Sequence, residues 1–161
     1  TVEEIEAKEI ETIKISSSKI RNSINEGDLE TTKKYLGRNF KLTGKIIKGD
    51  GLGKKINYPT ANIFVKEKYK IIPKDGVYFI RTLIKNKSFN GMMNIGHRPT
   101  IGSNDKSIEV HLFNFNQDIY NKEISIDIIL KIRDEKKFSS IEALKQQLKK
   151  DENYCLKLIN K

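Results

Sequence analysis

A chain of 161 residues, 37% hydrophobic and 32% charged, can build one ordinary domain with a real core, and no apolar run in it approaches bilayer length. The acidic start TVEEIEAKEIE lacks the basic-then-apolar order of a signal peptide, and a single cysteine, Cys155, excludes an internal disulfide and fits a reducing, cytoplasmic compartment. The net charge of +10 admits a nucleic acid or a small anion as partner, but only five of the 31 basic residues are Arg, so a general lysine bias explains part of it.

At the N-terminus, Ile5, Ile10, Ile13 and Ile15 alternate imperfectly with charges, which predicts one strand or a frayed end. The run Ser16-Ser17-Ser18 offers an N-cap for a short helix, KIRNSINE, that Gly27 closes. Asp28 caps a second helix, LETTKKYL, with Gly37 as its stop. Both helices are polar and read as a linker or docking segment.

From Phe40 the period changes to two. KLTGKIIKG, DGVYFIRTLI, SFNGMMNIG, SIEVHLFNF and EISIDIILKI alternate β-branched or aromatic residues with polar ones. Turn signals separate them at Lys74-Asp75-Gly76, Asn86-Lys87, Gly102 to Asp105 and Asn121-Lys122. Five or six short strands without intervening helices predict a closed antiparallel barrel. The last segment is a helix: Ser139 and Glu142 make a capping box, and Ile141, Leu144, Leu148, Cys155 and Leu158 form its apolar stripe.

Between the first two strand segments lies KGDGLGKKINYPTANI, Lys48 to Ile63. It fits neither the Walker pattern, because Lys54-Lys55 is followed by Ile56, nor the dinucleotide fingerprint, because its glycines stand at 49, 51 and 53. Alternate glycines turn backbone N–H groups toward a ligand, and Lys54 and Lys55 add countercharge for phosphate; the competing reading is a hairpin loop with solvated lysines. Nine Lys between Lys41 and Lys74, against Asp50 and Glu67, place the expected anion here. Pro59 fixes the entry to a strand on which Thr60 and Asn62 share a face. A hydroxyl beside an amide carbonyl is a hard-oxygen patch suited to Mg²⁺, or else ordinary hydrogen bonding at a strand start.

In SIEVHLFNF, Glu109, His111 and Phe113 share one face and Ile108, Val110 and Leu112 the other. A carboxylate held against apolar neighbours is desolvated and suited to accept an alcohol proton; on an outer face it is merely solvated. His97 and His111 have no Ser or Asp at a suggestive spacing and read as structural or surface residues. With two His and one Cys, no zinc site of Cys and His is expected. Cys155 reads as packed. Arg133 either clamps a planar or anionic group or pairs with Asp134 or Glu135.

Taken in order over about residues 38–160, these stretches resemble the riboflavin kinase family. GKIIKGDGLGKKINYPTANI is similar to its nucleotide loop with the PTAN motif, GVYFIRTLI and GMMNIGHRPTIG to the next strands and flap, IEVHLFNFNQDIYNKEI to the segment with the catalytic Glu, and IRDEKKF to the flavin-side turn. The resemblance implies a six-stranded Greek-key barrel with a C-terminal helix, which transfers the ATP γ-phosphate to riboflavin and releases ADP and FMN. It implies Glu109 as base, and Thr60 and Asn62 holding Mg²⁺. Gly49, Gly51, Gly53, Lys54 and Pro59 would bind the ATP phosphates, with Leu112, Asn114 and Tyr120 on the adenine side. Arg133 and Phe138 would contact the flavin together with Glu109. Asn57 stands where the family usually has Gly, and Lys48 where bacterial relatives often have His; Asn is the next most tolerant residue for a left-handed turn.

ISSSKIRNSINEGDLETTKKYLGRNF resembles the end of the adenylyltransferase module, and its linker, in bacterial bifunctional riboflavin kinase/FMN adenylyltransferases. Ser17, Ser18 and Arg21 would then be phosphate-binding residues of that module. No histidine precedes His97, so the His-x-Gly-His motif of adenylyl transfer is missing and that activity is not expected. The implied division is 1–37, remnant and linker, and 38–161, kinase domain. The rival class is a basic β-barrel that binds single-stranded nucleic acid. It gives no reason for Pro-Thr-Ala-Asn or for a lone acidic residue on an aromatic strand, and neither nucleic acid nor membrane is expected as a partner.

Overall fold

The structure, a computed structural model, describes residues 9–10, 13–49, 51–97 and 106–160. Asp50, the RPTIG stretch and the turn signal at Gly102 to Asp105 lie outside the described residues. Two short strands, β1 (Glu9–Ile10) and β2 (Ile13–Lys14), pair antiparallel, so this segment holds two strands where the sequence suggested one or a frayed end.

Helices α1 (Ser17–Glu26) and α2 (Leu29–Leu36) form as their caps require. Ser16 accepts from the Lys19 N–H, Asp28 accepts from the Thr31 N–H, and Gly27 and Gly37 close the helices in the left-handed conformation at φ 74° and 70°. The pair is more than a polar linker. Ser23 and Thr32 share a buried hydroxyl hydrogen bond of 2.8 Å, and Leu29 joins the main core.

Six strands close the barrel: β3 (Phe40–Ile47), β4 (Ala61–Phe64), β5 (Gly76–Ile84), β6 (Lys87–His97), β7 (Lys106–Leu112) and β8 (Glu123–Arg133), in the order β3-β4-β7-β6-β5-β8, all antiparallel. The β5-β6-β7 meander with β8 returning beside β5 is a Greek key. The sixth strand, β4, takes up the second half of the Pro-Thr-Ala-Asn run, with Pro59 and Thr60 just ahead of it. Period two decides the interior. Leu42, Ile46, Ile63, Tyr78, Ile80, Met93, Ile95, Ile108, Val110, Ile126 and Ile128 fill the barrel.

A second, smaller core lies on the outer wall. Val77, Phe79, Met92 and Phe113 face Cys155 of α4 (Ile141–Ile159), so β5 is buried on both faces over its first half. The helix cap differs from the sequence expectation. Ser140, not Ser139, is the N-cap and accepts from the Ala143 N–H, which moves Glu142 to the second helical position and dissolves the capping box. Ile141 is accordingly exposed rather than part of the stripe, while Leu144, Leu148 and Leu158 are half-buried and Cys155 fully buried. Burial pushes the Cys155 thiol up to about 12, with the nearby Asp151 charge in the same direction.

Candidate active site

Cross-strand pairing draws one line across the barrel. Asn62 on β4 pairs with Glu109 on β7, Glu109 with Asn94 on β6, Asn94 with Val77 on β5, and Val77 with Arg133 on β8. Directly paired residues project from the same face. All five therefore stand on the outer wall, and all five line a cavity of about 320 Å³ that α4 and the β3–β4 loop complete. The row depends on two irregularities in β8. Ile80 pairs with Ile128 but Phe79 with Leu130, and Tyr78 pairs with Lys131 but Val77 with Arg133, so Ile129 and Ile132 are extra residues that together bring Arg133 opposite Val77 on the cavity face.

Glu109 is on the outer face, as the alternation requires, yet it is half-covered rather than solvated. Its Oε2 accepts from the Thr60 hydroxyl at 3.3 Å and its Oε1 from the Ser107 hydroxyl at 3.4 Å. Asn62, 7% exposed, stands beside it. The loop glycines explain how these side chains fit. A Cβ on Gly49 would collide with the Asn62 carboxamide, and one on Gly53 with the Tyr58 carbonyl and the Thr60 hydroxyl. Gly49 and Gly53 thus admit the PTAN side chains by close approach. The loop is also not a plain hairpin: Gly51 (φ 73°) leads into a single helical turn, α3 (Leu52–Lys55), and Asn57 takes the left-handed conformation at φ 64°.

Among the described residues no group of three or more His, Cys, Asp and Glu is placed to hold a metal. The hydroxyl and carboxamide oxygens of Thr60 and Asn62 suit a different design, a hard cation with few protein ligands completed by phosphate oxygens. The cradle left by Gly49 and Gly53 leaves them room, so these residues fit Mg²⁺.

Aromatic groups brace the cavity. His111 Nδ1–H donates to the Pro59 carbonyl at 2.8 Å and meets Tyr58 edge-on at 5.2 Å. Tyr58 donates to Glu152 Oε2 at 3.0 Å, tying the loop to α4. Burial first, then the bond and charge of Glu152, push the Tyr58 phenol up to about 12. For Glu152, burial favours the neutral acid, but hydrogen bonds from Lys149 and Tyr58 outweigh it and hold the carboxyl below its usual range. Arg133 does not pair with the Asp134 or Glu135 side chains. Its partner is Asp151 on α4, at 2.9 Å, and it lies 5.8 Å from the centre of the Phe138 ring.

A second cavity of about 160 Å³ opens at the barrel rim, lined by Pro59, Thr60, Leu112, Phe115, Ile119 and Tyr120 among others. Thr60 lines both cavities. Lys54 and Asn114 are exposed and line neither, and Asn114 is a left-handed turn residue at φ 53°. Ser17 and Arg21 line a separate wide depression with Arg38 and Lys41, and Ser18 is exposed on α1. His97 finds an acidic partner after all in Asp75, 2.7 Å away and 22 residues earlier. Sequence reasoning missed Asn94, Tyr58 and Asp151, whose places depend on register and on α4 docking.

A closed Greek-key barrel with a carboxylate, a hydroxyl and a carboxamide set in an outer-wall cavity under a C-terminal helix is a barrel of the riboflavin kinase type. The chain belongs to the riboflavin kinase family, whose model (Flavokinase: Riboflavin kinase) matches residues 36–159. It is 39% identical over 147 residues to the bifunctional riboflavin kinase/FMN adenylyltransferase of Bacillus subtilis (strain 168), covering 89% of this chain and 46% of that protein. To the protein of the same name from Buchnera aphidicola subsp. Schizaphis graminum it is 41% identical over 151 residues, covering 92% and 48%. The chain thus spans about half the length of these curated relatives. A crystal structure from Streptococcus pneumoniae, described as a macrolide-efflux protein, superposes with TM-score 0.84 at 35% identity over 91% of this chain and 48% of that one. No helix among the described residues here is long and apolar enough to cross a membrane. Riboflavin kinase from Trypanosoma brucei shares the fold, with TM-score 0.52, 23% identity and coverage of 75% and 80%.

Proposed function

We propose that the chain phosphorylates riboflavin with ATP, giving FMN and ADP. The observation that carries this reading is Thr60 standing in the shared wall of two cavities, with its hydroxyl on Glu109. The apolar rim cavity, with Leu112 and Tyr120, receives the nucleotide base, and Asn114, outside its lining on the turn that follows β7, would meet the base only at its exposed edge. The larger cavity receives the acceptor, whose ring lies against Phe138 and Arg133. Phosphate passes between them at Thr60. Glu109 takes the proton of the acceptor hydroxyl, while Gly51, Gly53, Pro59 and Lys54 border the triphosphate and Gly49 leaves room for Asn62. Thr60 and Asn62 would hold Mg²⁺, which neutralises charge building on the phosphate oxygens. The chain's own residues supply position and a base, and the Tyr58–Glu152 bond ties the loop to α4 beside them.

Residues 38–161 are the kinase unit in this reading. Residues 1–37 are the junction with an adenylyltransferase part, to which Ser17, Ser18 and Arg21 belong. The test is incubation of the chain with riboflavin, ATP and Mg²⁺, with FMN followed by chromatography. Folded protein that makes no FMN sinks the reading.

A further inference from the structure

The guanidinium of Arg133 reaches the cavity with its charge already matched. Nε donates to Asp151 Oδ1 and Oδ2 at 3.2 and 2.9 Å, and Nη2 lies 2.9 Å from Oδ2. Nη1 donates to the Asp134 carbonyl at 3.0 Å. Asp151 is 3% exposed. Gln147, one turn earlier on the same face of α4, donates to Asp151 Oδ1 at 2.8 Å and accepts from Lys136 Nζ at 2.9 Å. Arg133 and Lys136 both stand over Phe138, 5.8 and 5.2 Å from its ring centre.

Two residues of α4 therefore hold two cations against one aromatic ring. An Arg bound through two of its nitrogens to a buried carboxylate has little net charge left for a phosphate, and what it offers is a flat, fixed edge and face. An unpaired Arg at this place would attract a phosphorylated ligand more strongly than an unphosphorylated one.

We infer that Asp151, supported by Gln147, is a positioning residue for the acceptor substrate. It fixes the plane of Arg133 beside Phe138 and cancels that residue's charge, so that the Arg133 edge of the wall takes an uncharged planar ring system and adds no pull on the phosphorylated product, while Lys136 on the neutral Gln147 amide keeps its charge. The inference rests on the larger cavity being the acceptor site and adds to that reading two residues that touch no substrate.

The test compares wild type, Asp151→Asn, Arg133→Ala, the double variant and Gln147→Leu. KM is measured for riboflavin and for ATP separately, with FMN and riboflavin dissociation constants and thermal unfolding alongside. Asp151→Asn keeps the shape and removes the charge. It is expected to raise the riboflavin KM about tenfold or more while the ATP KM stays within about twofold. It is also expected to shift binding toward FMN relative to riboflavin, which a loss of helix docking alone does not produce. The double variant is expected to be no worse than Arg133→Ala, because Asp151 acts through Arg133. Gln147→Leu leaves the ion pair and is expected to shift the riboflavin KM about two- to fivefold in the same direction, and it carries the test if Asp151→Asn does not fold. Equal rises in both KM values, additive losses in the double variant, or an unmoved riboflavin KM in Gln147→Leu overturn the inference while wild-type activity stands. A wild-type chain that makes no FMN overturns the functional reading and this inference with it.

Discussion

The Thr60 hydroxyl, on the residue just before β4, lies 3.3 Å from the carboxylate of Glu109 on β7, 49 residues further along the chain. That contact sets a proton acceptor beside the place where phosphate is expected. Glu109→Gln keeps the size and the hydrogen bond but cannot accept a proton. Turnover is expected to fall about 100-fold or more with ATP-analogue affinity nearly unchanged. Steady-state rates with parallel titration check it, and equal turnover in the variant removes Glu109 from the base role.

Gly49 touches neither substrate in the proposed arrangement, yet its hydrogen is what lets Asn62 sit in the wall. Gly49→Ala drives a methyl group into that carboxamide. The expected result is a folded protein whose kcat/KM falls about tenfold or more, with a shifted Mg²⁺ requirement. Circular dichroism and a Mg²⁺ titration of activity read the two parts separately.

The cap of α4 can be assigned by mutation. Ser140→Ala removes the side chain that accepts from the Ala143 N–H and should cost about 1 kcal/mol of stability, whereas Ser139→Ala should be near neutral. Denaturant unfolding of both variants decides it. The reverse order would restore the Ser139 and Glu142 box.

Alkaline pH tests the Tyr58–Glu152 tie. The phenol keeps its proton to about 12 in the fold against 10.0 when unperturbed. Stability from this group is fully present below pH 10 and is lost as pH rises through 10 to 12. Tyr78, raised further by its deeper burial, loses its own contribution from pH 10 upward in any variant that keeps it. Tyr58→Phe is therefore expected to lose stability less steeply than wild type over that interval in pH-dependent urea unfolding. Identical slopes contradict the assignment.

Much of the barrel was legible because half-buried strands write their faces at period two. Ile108, Val110 and Leu112 against Glu109 and His111 is a pattern one strand can show by itself. The helix caps at Ser16, Asp28, Gly27 and Gly37 were legible for the same local reason. Ser139 was misread because two adjacent serines satisfy the same cap rule and only backbone geometry chooses between them. Asn94 was invisible as a site residue, since its place beside Glu109 depends on the register of β6 with β7, 15 residues away along the chain. The Arg133–Asp151 pair needed both the extra residues Ile129 and Ile132 in β8 and the docking of a helix on the far side of a turn. Neither leaves a local signature.

Strand β7 has a consequence for how such a protein can change. Its even-numbered side chains, 108, 110 and 112, belong to the barrel interior, and its odd-numbered ones, 109 and 111, to the cavity outside. One ribbon therefore carries two interleaved texts, one written mainly for packing and the other mainly for the cavity. Change at Glu109 acts on the cavity side and change at Ile108 on the packed interior, while Leu112, which also lines the rim cavity, answers to both. A single inserted or deleted residue scrambles both texts at once, because each reads only in the frame set by the other.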